Sequence, residues 1–322
     1  MTNRRCILVT GGAGFIGSHL VDRLMRKGFS VTVLDNMSTG NRANIGRHIG
    51  KKGFRLLRGD VRNAGNVQEA VRGTDAVFHL AAIVDVQRSV RNPLLTYRVN
   101  VLGTLNILDA CRNADINLLV YASSCAVYGD AGKTSIKEDT PLRSVSPYAT
   151  SKLAAEIFCF SFQRTYGLPV FSLRLFNVYG PRQRPGPYAG VVAKFTNRLL
   201  KNKPPIIYGD GKQSRDFVNV EDAVNAFMLS LKRRRGVGQA VNIGSGRSVT
   251  INRLARFLTE LTGKTGLRAE HHPMREGEIL HSKADIRLAR KALGYSPKVP
   301  LETGLRRYVD WVRATSGHLD GL

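Results

Sequence analysis

Tyr148 and Lys152 stand four residues apart in Tyr148-Ala149-Thr150-Ser151-Lys152, a spacing that puts both on one helix face. A free phenol has a pKa of about 10 and is a poor base at neutral pH. A neighbouring ammonium favours the phenolate and lowers that value. Tyr148 can then accept a proton from a substrate hydroxyl, with Ser124, in the run Ala122-Ser123-Ser124-Cys125-Ala126-Val127-Tyr128-Gly129, binding the same oxygen and relaying the proton. Removing a hydroxyl proton is useful when hydride leaves the same carbon, so an oxidant should be bound nearby.

Thr10-Gly11-Gly12-Ala13-Gly14-Phe15-Ile16-Gly17 supplies a site for one. Glycines 12, 14 and 17 satisfy G-x-G-x-x-G, and 11, 14 and 17 satisfy G-x-x-G-x-x-G. A pyrophosphate must approach this backbone closely, and the N–H groups at the following helix start face the anion. Asp35 lies about 20 residues beyond Gly14, where an acid accepts from ribose hydroxyls and repels a 2′-phosphate. That favours NAD over NADP. Asp60-Val61, ending another strand, is placed to meet the adenine edge.

The elements that must hold these residues alternate. Short apolar runs at Ile7–Thr10, Val31–Asp35, Arg55–Gly59, Ala76–Leu80, Leu118–Ser123 and Val170–Leu175 read as parallel strands covered on both faces. Helical stretches lie between them. Ile16, Leu20 and Leu24 form one stripe ending at Gly28. Asn92-Pro93 and Ser146-Pro147 read as cap and first residue of two longer helices, the first running towards Cys111 and the second carrying Tyr148 to Tyr166. The expected fold class is α/β, a Rossmann-type doubly wound parallel sheet with a smaller C-terminal substrate domain. Residues 1–176 form the NAD-binding domain, with a return segment near 216–232, and residues 177–322 the nucleotide-sugar substrate domain. After Phe176 the rhythm breaks in a Pro- and Gly-rich loop before a helix at Val191–Lys201.

Composition excludes several classes. The 322 residues are 43% hydrophobic, ordinary for a globular protein. No apolar run reaches the ~18 residues of a membrane span, and the run after the N-terminus is too short for a signal peptide, so a cytoplasmic protein is expected. The four cysteines (Cys6, Cys111, Cys125, Cys159) are scattered, and neither they nor the seven histidines show metal-ligand spacing. Net charge is +25, a field that attracts anions. The basic residues are scattered and carry no nucleic-acid-binding signature, so nucleic acid is not expected as the main partner.

The chain resembles the extended short-chain dehydrogenase/reductase family, in its nucleotide-sugar 4-epimerase branch. The resemblance is carried by residues 10–17, His79-Leu80-Ala81-Ala82, Asn100, the serine cluster, 148–152, Phe176-Asn177-Val178-Tyr179-Gly180-Pro181-Arg182, residues 215–222, Arg275-Glu276-Gly277-Glu278-Ile279 and Ala284-Asp285-Ile286. It implies catalytic roles for Ser124, Tyr148 and Lys152. It assigns Gly11, Gly14, Phe15, Ile16, Gly17, Asp35, Asn36, Asp60, Val61, Leu80, Ala81, Ala82, Asn100, Ser123, Tyr148 and Lys152 to NAD. Ser124, Tyr148, Asn177, Val192, Arg215, Arg275 and Ser282 would hold the substrate, the arginines by matching phosphate oxygens with a fixed fork.

The resembling 4,6-dehydratases carry Asp-Glu after the active-site threonine, and decarboxylases a glutamate nearby. Here Cys125 and Ala126 follow Ser124, so the implied chemistry is oxidation and re-reduction at C4: a 4-epimerase of UDP-glucose and UDP-galactose, with the N-acetyl pair admitted if the gating position, Ser282, is small. Residues 185–192 are expected to form part of the sugar-side wall. A UDP-glucuronate 4-epimerase, using Arg88 or Arg182 for the carboxylate, or an NAD(P)-dependent nucleotide-sugar reductase is the enzymatic alternative. An NAD-sensing or RNA-binding protein on the same fold is the alternative of another class. The resemblance also implies a homodimer, joined through the helix after Pro93 and the Tyr148 helix, with Ile157, Phe158 and Phe162 as candidate contacts.

Overall fold

The structure, a computed structural model, describes residues 5–184, 190–233, 237–274 and 279–316. Its strands are β1 (Cys6–Thr10), β2 (Ser30–Asp35), β3 (Phe54–Arg58), β4 (Ala76–His79), β5 (Leu119–Ser124), β6 (Val170–Leu175), β7 (Asn177–Tyr179), β8 (Ile206–Tyr208), β9 (Ser214–Asn219), β10 (Ala240–Ile243), β11 (Ser248–Thr250), β12 (Glu270–His272) and β13 (His281–Ser282). Its helices are α1 (Phe15–Arg26), α2 (Arg42–Ile45), α3 (Ala64–Val71), α4 (Val86–Arg91), α5 (Pro93–Tyr97), α6 (Gly103–Asn113), α7 (Pro147–Tyr166), α8 (Val191–Leu200), α9 (Val220–Ser230), α10 (Ile251–Thr262), α11 (Arg287–Leu293) and α12 (Leu301–Ser316).

Seven strands form one parallel sheet in the order β10-β6-β5-β4-β1-β2-β3. The six expected apolar runs make six of them. β10 supplies the seventh from a part of the chain with no clear strand pattern. Helices cover both faces, which is why β1, β4 and β6 are buried nearly throughout. The order reverses between β1 and β4, and a crevice opens at the carboxyl ends of the strands there.

Two caps fall where the sequence places them. Ser146 accepts from the Ala149 N–H, with Pro147 at the first helical position of α7. Asn92 caps α5 through the Leu95 N–H. The helix expected from Pro93 to Cys111 is α5 and α6 joined by a π-helical segment, Arg98–Leu102. Asn100 sits inside that wider turn, and its amide holds both backbone groups of Ile83 (2.8 and 2.9 Å) and the Ser151 hydroxyl (2.9 Å).

The smaller part has its own apolar cluster, including Tyr179, Phe195, Phe217, Leu254, Leu258, Leu305 and Tyr308. Its sheet runs β11-β9-β13, with β7 also paired to β9. From β9 the chain passes directly into α9, which packs on α1 beside the large sheet. No helix among the described residues is long and apolar enough to cross a membrane.

Candidate functional site

The turn after β1 is built from backbone. Gly11 has φ +67°, and a Cβ there would lie 2.9 Å from the Ala81 amide nitrogen. A Cβ on Gly17 would run into the Gly11 carbonyl. Helix α1 therefore starts hard against the strand end. Its cap, Gly14, offers no side chain to the first-turn N–H groups, and no acid lies in that turn. These amides and the positive helix end fit a pyrophosphate, and the glycines leave it room. Phe15 and Ile16, half-buried in the first turn, pack onto the core beneath.

Asp35 ends β2 beside this turn. Its carboxylate accepts from Ala13 N (2.9 Å) and Met37 N (2.8 Å), and burial pushes its pKa above the ordinary value. Each oxygen keeps a further lone pair for a ribose hydroxyl. Asp60 lies next along the crevice. It takes a bidentate Arg62 guanidinium (2.9 and 2.8 Å) and the Asn36 amide (2.8 Å), and the Arg62 bonds hold its pKa at about 2. The structure thus joins Asn36 and Asp60 directly. Val61 is buried against Gly103.

The strand after the switch point is fixed by a group the sequence reading did not weigh. Thr10 Oγ1 accepts from the Leu80 and Ala81 N–H groups (3.2 and 3.1 Å) and bonds His79 Nδ1 (2.7 Å). His79 is fully buried, and burial drops its pKa to about 3, so it stays neutral. Leu80, Ala81 and Ala82 lie half-exposed along the crevice. Asn100 holds this loop through Ile83, and its amide is occupied in doing so.

Ser123 and Ser124 end β5. The Ser123 hydroxyl is buried without a hydrogen-bond partner, an unfilled capacity at the carboxyl end of a central strand. Ser124 lies within reach of the Tyr148 phenol and draws its pKa down, while burial pushes that pKa up to about 12. Lys152, one turn on in α7, donates to Ala122 O at 2.8 Å and lies 4.9 Å from the centre of the Tyr121 ring. Burial lowers its pKa to about 8. In the chain alone, then, burial governs both groups, rather than the attraction between phenolate and ammonium expected from their spacing. The Tyr148 N–H is held by Ser89 Oγ at 3.0 Å, which locks α4 onto the start of α7.

The substrate-side residues come from separated segments. Asn177, on β7, donates to Asp216 O (3.1 Å). Arg215, on β9, donates to Ser214 O (3.1 Å) and more weakly to Leu280 O (3.5 Å). Ser282, on β13, pairs in register with Arg215; its hydroxyl is buried beside the Cys125 thiol and makes no well-formed hydrogen bond. Ser124, Cys125, Arg215 and Ser282 thus converge where the two sheets meet. Asp216 fixes this edge by accepting from Ser245 N and Oγ, Gly246 N and Ala284 N at 2.6–3.1 Å. Nothing in the local sequence marked Asp216 for that task, since its partners lie some 30 and 70 residues away.

Val192 is elsewhere: it is 2% exposed on the apolar face of α8, inside the smaller cluster. Arg182 is engaged with Asp22 of α1 through Nη2 at 2.7 Å, while its buried Nη1 has no hydrogen-bond partner among the described residues. Arg275 and residues 185–189 of the expected sugar wall lie outside the described residues.

A UDP-glucose 4-epimerase of Mycolicibacterium smegmatis is 38% identical over 315 residues, 96% of this chain and 99% of that protein. The crystal structure of a UDP-glucose 4-epimerase from Thermotoga maritima with UDP-glucose is 37% identical, covering 97% of this chain and 99% of its own, with a TM-score of 0.91. A UDP-glucuronic acid 4-epimerase from Bacillus cereus, solved with UDP-glucuronic acid and NAD, is 30% identical over 96% of this chain and 99% of its own, with a TM-score of 0.90. Residues 7–244 match the NAD dependent epimerase/dehydratase family. With residues 7–244 matching and an uncapped glycine turn at the switch point, the chain belongs to that family of NAD-dependent enzymes.

Proposed function

We propose that the protein is a UDP-hexose 4-epimerase, interconverting UDP-glucose and UDP-galactose through a transient 4-keto sugar, with UDP-N-acetylglucosamine and UDP-N-acetylgalactosamine as a further pair. One observation carries the reading. Among the described residues, Ser124 and Cys125 flank the Tyr148 phenol, and neither is a carboxylic acid. A single proton acceptor suits reversible oxidation at one carbon; expelling water or CO₂ calls for a second acid or base.

Gly11, Gly14, Gly17, Asp35 and Ser123 would hold NAD, with Asn36, Asp60 and Leu80 to Ala82 along its length. When bound there, NAD would supply the reversible hydride acceptor for C4. Tyr148 takes the 4-hydroxyl proton and returns it, with Ser124 bridging the same oxygen. Lys152, held by Ala122 O, presents the positive charge that favours the phenolate. Arg215 grips the diphosphate with a planar fork, and Arg275 is assigned the same role from sequence. The small Ser282 leaves width for an acetamido group. Loose contact with the hexose lets the keto sugar turn over, while the charged grip keeps it from leaving.

The working division is a cofactor unit (1–176 with the return near 216–232) and a substrate unit (177–322). A homodimer in the cytoplasm fits the surface: α5 and α7 pack on each other, and Leu94, Ile157 and Phe158 stand in solvent. Phe162 is drawn inward onto the core.

The test is a panel of UDP-sugars read by NMR at C4. Conversion of UDP-glucose to UDP-galactose without net use of NAD is the expected result. Loss of CO₂ from UDP-glucuronate, or turnover of that sugar alone, would overturn the assignment.

A further inference from the structure

Beneath the catalytic groups lies a buried ionic network. Arg174, on β6, grips Glu156 of α7 through Nε (3.1 Å) and Nη2 (2.6 Å). Ser172 donates to the same carboxylate at 2.6 Å. The other arm of Arg174 donates to the Tyr128 hydroxyl (2.7 Å) and to Glu138 O (3.0 Å). Tyr128 in turn donates to Asn242 Oδ1 on β10 at 2.7 Å, and Asn242 holds Ile136 O. Glu156, Arg174, Tyr128 and Asn242 are all at most 4% exposed.

Such a cluster is a poor way to gain stability. Apolar side chains of similar volume would usually do as well or better, because both charges must be stripped of water. What it does gain is position. Glu156 stands one helical turn beyond Lys152, and two beyond Tyr148, on α7. Tyr128 closes the 3₁₀ turn Cys125–Tyr128 that begins directly after Ser124. Gly129, at φ +63°, then fits against the Arg143 carbonyl, so the far end of that turn has little freedom.

We propose that Glu156, Arg174 and Tyr128 are positioning residues that clamp the Ser124 turn to the Tyr148–Lys152 face of α7 and so set the Ser124–Tyr148 contact. The inference rests on the catalytic reading of Ser124 and Tyr148 above. An error of about 1 Å in such a contact costs on the order of 100-fold in rate.

The experiment compares Tyr128→Phe, Ser124→Ala and the double variant, using the UDP-sugar turned over fastest in the panel. Tyr128→Phe keeps the ring and removes only the hydroxyl. It should lower kcat about 10- to 100-fold, with KM within about threefold of wild type and bound NAD unchanged. In the Ser124→Ala background the same change should cost less than about threefold, because the contact it positions is already gone. Asn242→Ser, which removes the acceptor of the same hydroxyl, should repeat the pattern and serves if Tyr128→Phe does not fold. A full, multiplicative loss in the Ser124→Ala background overturns the clamp and leaves the catalytic reading standing. A wild-type rate in Ser124→Ala overturns the reading of Ser124 itself, and the clamp with it.

Discussion

The two sides of the crevice are made in opposite ways. The turn between β1 and α1 is local: eight consecutive residues form it, and its chemistry is that of first-turn amide N–H groups that the cap residue Gly14 leaves free of any side chain. The side bearing Ser124, Tyr148, Lys152, Arg215 and Ser282 draws on β5, α7, β9 and β13, held from below by Arg174 and Asp216. The first side has few ways to fail except a side chain that does not fit. The second depends on buried charges, each with a desolvation cost, aligned across the sequence. Under the epimerase reading proposed above, a cofactor kept through many turnovers suits the first design, and a sugar that must rotate suits the second.

The largest test of this contrast is Tyr148→Phe. Removing the proton acceptor should cut kcat by about 10²- to 10⁴-fold, with KM near wild type and NAD still bound. Retained activity would show that the assembled side does not hold the chemistry. On the local side, Gly17→Ala forces a methyl against the Gly11 carbonyl. The overpacking should weaken NAD affinity by about 10- to 100-fold, measured by cofactor titration, while UDP affinity stays unchanged. Equal losses in both would mean that the two sides are one mechanical unit. Arg215→Ala sharpens the other half. Loss of one charge-assisted grip should raise the KM for the UDP-sugar about 10-fold, with cofactor content unaffected.

Legibility in the sequence follows the same divide. Six strands of the large sheet could be read because strands buried on both faces are short continuous apolar runs. The caps Ser146 and Asn92 could be read because capping is decided within three or four residues. Gly11, Gly14, Gly17 and Asp35 were visible because their spacing is the motif. β10 was not, since Ala240-Val241-Asn242-Ile243 carries a polar residue that only Tyr128 and Ile136 explain. Asn100, assigned to the cofactor from sequence, also holds Ile83 through its amide, and the π turn that aims it there has no sequence mark. Arg182 is tied to Asp22, about 160 residues earlier in the chain, a pairing that no local pattern marks. Val192 illustrates the remaining gap, for a motif position does not say which face of α8 turns inward.

The smallest effect concerns stability, and it tests whether the assembled side carries a cost. Burial holds the Lys152 ammonium at about 8, against 10.5 for an exposed lysine. The folded chain therefore binds that proton less tightly than the unfolded chain. Below pH 8 both states carry the charge, and the folded state bears the whole desolvation cost. Between pH 8 and 10.5 the folded state sheds the proton first and the cost shrinks; above 10.5 it is gone. Lys152→Met should thus lower activity while raising the melting temperature at pH 7. The gain is on the order of 1 kcal/mol, because the methionine also forfeits the hydrogen bond to Ala122 O. It should fade as the pH is taken from 8 to 10.5. A melting temperature that falls at pH 7, or a difference that does not vary with pH, would mean that the ammonium stabilises its surroundings. In that case the catalytic side would be held as cheaply as the glycine turn, and the contrast between them would lie in sequence distance alone.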